Sequence, residues 1–179
     1  MDFLDLVKSR QSDRQYDASR LVEEDKLNSI LEAAHLSPSA CNAQPWKIIV
    51  VNEPSLSYEV GKAASGLGMN KFAKDAPVHI IIVEESANIT SKLGSKIQGK
   101  YYPLIDIGIL ASHIVLAAES LGLGSCIMGW FDENKIKDLL SIPQRKRVLL
   151  DIAIGYPLKA KRDKKRKPFL SVVSYNKYK

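Results

Sequence analysis

The sequence contains no run of about 18 consecutive apolar residues, which argues against a membrane-spanning helix. Its two cysteines, Cys41 and Cys126, stand in no metal-binding spacing, and its three histidines are scattered at 35, 79 and 113. A zinc site is therefore not expected, and both thiols are read as reduced. No Gly-x-Gly-x-x-Gly follows a predicted strand, no Walker loop is present and no Ser-His-Asp order stands out. Nothing supplies a protein nucleophile or a metal, so an enzyme built on this chain would take its chemistry from a cofactor. Met1 to Arg10 carries Asp2 and Asp5 among its apolar residues, unlike a secretory or transit segment, and a cytoplasmic location is expected. Without internal repeats or a Pro/Gly-rich linker, residues 1–179 read as one domain, and 179 residues at 45% hydrophobic content suffice for a sizeable core.

Hydrophobic periodicity organises what is there. Phe3, Leu6 and Val7 predict a first helix ending near Ser9–Arg10, and residues 10 to 17 break the pattern as a loop. Glu23 to Leu36 predicts a second helix with Leu27, Ile30, Leu31 and Ala34 on one face, stopped by Ser37-Pro38 because the residue before proline is pushed out of helical geometry. Trp46 to Val51 and Val78 to Val83 read as buried strands, with a short helix from Leu56 to Ala64 between them. Gly66, Gly68 and Asn70 mark a loop, and residues 85 to 100 read as a mobile loop or weak helix. Asp106 to Leu121 is a long helix apolar on most sides, which places it in a core or an interface, and Gly122 and Gly124 are expected to end it. Ser125 to Met128 reads as a short strand, and Asp132 as the cap of a helix through Leu140. Arg147 to Ile154 is a third clear strand, and Leu170 to Tyr175 a candidate edge strand. Helices and strands do not alternate regularly, so the fold class is α+β rather than doubly wound.

The net charge is +6, and seven cations from Lys159 to Lys167 cluster near the end of the chain. Such a cluster fits a solvated tail, the commonest meaning of a charge run, or a nucleic-acid arm, or a phosphate-binding segment. Aromatic interleaving is sparse and no nucleic-acid motif accompanies it. Three further segments carry chemistry. Arg10-Gln-Ser12-Asp-Arg14 sets two guanidinium forks around a hydroxyl, a donor set that suits phosphate, although surface salt bridging is the commoner meaning of such a pattern. Ser37-Pro38-Ser39-Ala40-Cys-Asn42-Ala-Gln44-Pro45-Trp46 packs hydroxyls and amides between prolines, either to read the polar edge of a planar ring or as an ordinary capped turn. Leu121-Gly-Leu-Gly-Ser-Cys126-Ile-Met128-Gly129-Trp130 has glycines that let a ligand approach the backbone, or that merely cap a helix before a strand.

Taken in order, Arg10/Ser12/Arg14, Ser37 to Trp46, Asp106 to Gly124 and Gly155-Tyr-Pro157 resemble the nitroreductase family, and Asn42-x-Gln44-Pro45-Trp46 is the most specific of these motifs. The chain departs from the family pattern at Gln11, where arginine or histidine is common, and at Ala40, where serine is common, and it is compact beside many relatives. The resemblance implies a nitroreductase-type sandwich, a mostly antiparallel sheet wrapped by helices, in a homodimer interlocked through the helix near residues 106 to 121, with C-terminal residues crossing to the partner. It implies FMN held between subunits. Arg10, Ser12, Lys164 and Arg166 would take the phosphate, with Gln11 in the same segment, and Arg14 the N1–C2 edge. Pro38, Ser39 and Asn42 would approach from the partner, Asn70 would bond the pyrimidine end, and the Gly129 amide would lie near N5 with Trp130 beside it; Ala40, Gln44 and Met128 are also counted among the cofactor-binding residues. No side chain is assigned as catalytic. The implied activity is ping-pong hydride transfer from NADH or NADPH to nitroaromatics, quinones or similar small-molecule acceptors, with no nucleic acid or membrane as partner. A different flavin chemistry, such as dehalogenation or flavin cleavage, and a storage or sensing role are the alternatives.

Overall fold

A computed structural model of the chain describes residues 2–86 and 99–178. Its regular elements are helices α1 (Phe3–Ser9), α2 (Glu24–His35), α3 (Pro54–Ala64), α4 (Tyr102–Ser120) and α5 (Glu133–Leu139), and strands β1 (Trp46–Val51), β2 (Val78–Glu84), β3 (Gly124–Met128) and β4 (Val148–Gly155). The strands form one four-stranded sheet in the order β1-β2-β4-β3, antiparallel at every pairing. The fold is the expected α+β sandwich.

Strand alternation explains the layers. Val78, Ile80 and Ile82 of β2 and Ile152 and Ile154 of β4 point to one face, where they pack with Leu27, Ile30 and Ala34 of α2 and Leu110, Ile114 and Ala118 of α4. Ile81 and Val83 of β2 and Val148 of β4 point to the other, against Val60 and Ala63 of α3 and Ile136 of α5. A sheet covered on both faces has central strands that read as continuous apolar runs, and β2 is buried from Val78 to Val83. β1 departs from the sequence reading: it is an edge strand and only half-buried along most of its length.

α4 begins four residues before the expected Asp106, since Pro103 is tolerated in a first helical turn. By length and composition it could cross a bilayer, but half of it is buried inside this fold, against α2, α1 and β3. Gly122, at φ +76°, ends it, whereas Gly124 opens β3 instead. Asp132 caps α5 as expected, accepting from the Lys135 amide at 3.0 Å. The proposed strand at Leu170 to Tyr175 is absent: Phe169–Ser171 is a single 3-10 turn, and Phe169, Leu170, Val172 and Tyr175 are exposed. Most of the expected loop at residues 85 to 100 lies outside the described residues.

Residues 10 to 17 are more than a loop. The Asp13 amide donates to the Ser125 carbonyl at 2.9 Å, the Asp17 amide to the Tyr156 carbonyl at 2.9 Å, and Gln15 accepts from the Leu158 amide at 3.1 Å. Ser12 forms a parallel bridge to Ser125 and Tyr16 an antiparallel bridge to Pro157. This segment thus lies along the β3 edge of the sheet, pairing groups that an open edge would leave exposed.

Candidate functional site

The edge pairing fixes where the first arginines sit. Arg10 follows α1 directly, its amide closing on the Leu6 carbonyl at 3.0 Å, Ser12 bridges to β3, and Arg14 follows the Asp13 amide that bonds the same strand. The chain then returns from its other end. Arg10, Gln11, Ser12 and Arg14 line one cavity of about 490 Å³ with Arg162, Asp163, Lys164, Lys165 and Arg166. Residues about 150 positions apart in sequence therefore share one pocket, and it is strongly cationic.

Buried acids dock the basic segment. Glu119, near the end of α4, accepts from Lys161 Nζ at 2.6 Å and from Ser9 Oγ at 2.7 Å. Asp13, almost fully buried, lies 3.9 Å from the same ammonium. Gln11 Oε1 accepts from the Arg162 amide at 3.1 Å, and Gln11 Nε2 donates to Asp13 at 2.7 Å. Arg162 donates onward to the Ser12 carbonyl at 3.1 Å, and Lys164 Nζ donates to the Val7 carbonyl at the end of α1. The side chain of Gln11, a candidate ligand contact from the sequence, is thus engaged inside the protein. The sequence reading missed Asp13, Glu119 and Lys161. The signal for Glu119 was an acid near a helix C-terminus, where the dipole disfavours it unless a cation is close.

The cations that remain lie in no ion pair among the described residues, with Asp163 as the one acid lining the same cavity. Among the described residues, no carboxylate pairs with Arg10, Arg14, Lys164 or Arg166. Burial, followed by the charges of Arg10 and Arg166, pushes the Lys164 ammonium below the ordinary lysine value. Like charges held together at this cost make a donor set that suits an anion.

Asn70, Gly129 and Trp130 form a second group. Asn70 is held at φ +50°, and its Nδ2 donates to the Trp130 carbonyl at 2.9 Å. Trp130 is half exposed, and the space beside the Gly129 Cα is open. The Met128 side chain points the other way, into a buried cluster with Tyr16, Ala73 and Ala153. The glycines differ in use: a Cβ on Gly124 would stand 2.8 Å from the Asp13 carboxylate, so that glycine admits the 10–17 segment rather than a ligand. Cys126 is buried, which pushes its thiol upward and keeps it neutral, so it offers no nucleophile.

Pro38, Ser39, Ala40, Asn42 and Gln44 form a third group, which this chain does not bring to the cations. Cys41, Asn42 and Gln44 all adopt left-handed φ, at 53°, 51° and 46°. Local bonds hold the turn: Ser39 Oγ accepts from the Gln44 amide at 2.9 Å, and Gln44 Nε2 donates to the Asn42 carbonyl at 3.0 Å. Asp106, in the first half of α4, accepts from the Ala40 amide at 3.1 Å. Asp106 and Glu119 are separated by about 20 Å along the helix at 1.5 Å per residue, which sets the distance between this turn and the cationic pocket.

Comparison with known proteins agrees with this architecture. The model of the nitroreductase family matches residues 7–68 and 63–156. A putative NADH dehydrogenase/NAD(P)H nitroreductase of Methanothermobacter thermautotrophicus is 35% identical over 161 residues, covering 88% of this chain and 78% of the relative. The structure of an FMN-dependent nitroreductase from Clostridium difficile R20291 superposes with a TM-score of 0.80 at 28% identity, covering 98% of this chain and 100% of that one. A nitroreductase family protein from Streptococcus pneumoniae TIGR4 gives a TM-score of 0.82 at 26% identity, with the same coverage. With the family model spanning most of its length and motifs, fold and relatives in agreement, the chain belongs to the nitroreductase family.

Proposed function

We propose that the chain is an FMN-dependent oxidoreductase that draws electrons from NADH or NADPH and passes them to small electron-poor acceptors, nitroaromatics or quinones, in alternating half-reactions. The observation that carries this reading is the cluster of Arg10, Arg14, Lys164 and Arg166, unpaired with any carboxylate among the described residues, in one cavity with Ser12. Its donor set and charge fit a phosphate dianion. When bound, FMN supplies the redox chemistry, accepting a hydride from the nicotinamide donor and delivering two electrons to the acceptor.

The residues supply binding and electrostatics. Arg10, Ser12, Lys164 and Arg166 hold the phosphate in this reading. Arg14, exposed at the mouth, is assigned to the negative charge that reduction places on the pyrimidine end of the ring. A fixed guanidinium favours that charge and raises the reduction potential. Asn70 and the Gly129 amide offer hydrogen bonds to the ring's polar edge, and the half-exposed Trp130 stands beside them.

The functional unit is a homodimer in the same reading. An apolar groove of about 770 Å³ runs along α4 between Phe3, Leu6, Ala33, Ile105, Ile109 and Leu116. Phe3 and Ile105 beside it are more than half exposed, and apolar side chains grouped at the surface suit a partner. A second copy would also carry the Pro38–Gln44 turn to a cation pocket that its own chain holds it away from.

The visible absorption spectrum of the purified protein tests the cofactor, and anaerobic addition of NADH or NADPH tests turnover. Oxidised-flavin absorption that bleaches on reduction and returns with a nitroaromatic or quinone is the expected result. Parallel double-reciprocal lines for donor and acceptor check the alternating half-reactions. Protein that stays colourless after incubation with FMN overturns the reading.

A further inference from the structure

β2 and β4 carry two fully buried charged-type residues in largely apolar central strands. His79 and Asp151 are fully buried and lie on the sheet face toward α3 and α5. In the register, His79 opposes Ala153 and Ile81 opposes Asp151, so the two are diagonal neighbours on one face. His79 Nδ1 lies 2.9 and 3.1 Å from the two Asp151 oxygens, and His79 Nε2 lies 3.1 Å from the Ala73 carbonyl.

The hydrogen positions follow from the partners. A carbonyl oxygen only accepts, so Nε2 carries its proton. Nδ1 faces a carboxylate, so a second proton lies between nitrogen and oxygen. The pair is neutral overall, as imidazolium with carboxylate or as imidazole with carboxylic acid, which makes complete burial tolerable. An apolar pair of similar volume would fill the same space with less desolvation. What such a pair would lose is the hold on Ala73.

Ala73 is the pivot of a turn. Its amide donates to the Asn70 carbonyl at 2.8 Å, and Asn70 in turn donates to the Trp130 carbonyl. Ser57 Oγ fixes the far end of the turn by donating to the Ala76 carbonyl at 3.1 Å. On the remaining side, a Cβ on Gly61 would stand 2.6 Å from the Ala73 oxygen and 2.4 Å from the Lys74 Cα, so α3 packs directly on the turn. The buried imidazole is the only side chain among the described residues that bonds the Ala73 oxygen.

We propose that His79 and Asp151 are positioning residues for the cofactor site: Nε2–H holds the Ala73 carbonyl and thereby sets Asn70 against the Gly129–Trp130 segment. The assignment rests on the FMN reading above. Two amide variants separate it from a purely structural role. His79→Gln places an amide donor near the Nε2 position and keeps the bond to Ala73. His79→Asn places one near Nδ1, keeping the contact with Asp151 and leaving the Ala73 carbonyl with only the Ala76 amide of its own turn, 3.0 Å away. Both lower the melting temperature, since both replace a packed ring. His79→Asn is expected to weaken FMN binding about tenfold, the worth of roughly one hydrogen bond, to shift the bound flavin's visible spectrum, and to speed amide exchange of residues 70–76 in cofactor-free protein. His79→Gln is expected to stay within about threefold of the wild type on the same scale. Equal losses of FMN affinity in both variants, or no loss in either, overturn the proposal while wild-type protein binds FMN. If wild-type protein binds none, the FMN reading fails first, and amide exchange at residues 70–76 still decides whether His79 holds the turn. If His79→Asn does not fold, His79→Gln carries the test alone: FMN affinity within about threefold, with unchanged amide exchange at residues 70–76, supports the proposal, and a larger loss overturns it.

Discussion

The cationic segment at residues 10 to 14 and the turn at residues 38 to 44 are both polar, both follow a helix, and both carry motifs of the family, yet they are built differently. The first lies along the sheet edge, bonded through its backbone to β3 and to the chain after β4. Its charges are organised by buried groups, Asp13, Glu119 and Gln11, which bring in the basic segment from the far end of the chain. The second is exposed, strained at three residues, and stitched mainly by its own side chains. Backbone strain of this kind persists where the surroundings over-determine it and clusters at ligand sites. The first half-site gathers its cations from one chain, whereas the second, among the described residues, shares no cavity with them. That difference is the strongest structural reason to expect a second copy.

The largest expected effect comes from separating the two halves. Ile105, half exposed on the α4 groove, tolerates a charge in the isolated chain but not in a buried interface. Ile105→Glu should yield monomer by light scattering and weaken FMN binding about a hundredfold or more, since leaving a charge unpaired in an interface costs several kcal/mol. A monomer that binds FMN as tightly as the wild type would remove the second copy from the site. Next in size is Arg10→Ala, which leaves the turn at residues 38 to 44 untouched. Loss of one charge-assisted phosphate contact should raise the FMN dissociation constant roughly ten- to a hundredfold in a fluorescence titration, with a shallower dependence on salt.

A smaller effect is set by pH. Lys164 is charged below its pKa, and burial with the neighbouring Arg10 and Arg166 lowers that pKa in the free protein. A bound phosphate favours the charged form, so FMN affinity should fall as pH rises through the depressed value, below the range of an ordinary lysine. Titrations from pH 7 to 10 should show this fall in the wild type and its reduction in Lys164→Met. The smallest effect concerns the strained turn. Cys41 sits at φ +53°, where glycine avoids a steric cost but adds unfolded-state entropy. Cys41→Gly should therefore raise stability in urea by only about 0.5 kcal/mol, the difference between those two effects. A clear loss of stability instead would mean that the side chain contributes packing.

Much of the fold was legible because periodicity reports burial. α2, β2 and β4 appear in the sequence within a residue or two of their observed bounds, since each presents a face or a whole strand to one core. β1 was harder, because Trp46-Lys-Ile-Ile-Val-Val51 reads the same for a central strand and for a half-covered edge strand. Leu170 to Tyr175 was misleading for a related reason: its alternation is a property of the residues alone, and among the described residues no strand pairs with it. Within the candidate site, arginines and serines were visible by type. The buried groups that place them were harder to see: Asp13 has no local signature, Glu119 only its place near a helix C-terminus, and Gln11 stood out by type but not by its role.

The sequence by itself determined the elements, the fold class and the family, through local patterns and motifs that survive without coordinates. It also named the cations that suit a phosphate. Only the tertiary structure decided which of them meet. Lys164 and Arg166 reach Arg10 because Lys161 is drawn to a buried carboxylate on α4, an ion pair spanning 42 positions that no local pattern encodes. The separation of the 38–44 turn from that pocket follows from the rigid length of the same helix. The His79–Asp151 pair belongs here too, since burial turns two ordinary polar residues into a neutral unit with one bond to give, and burial is a property of the packed molecule.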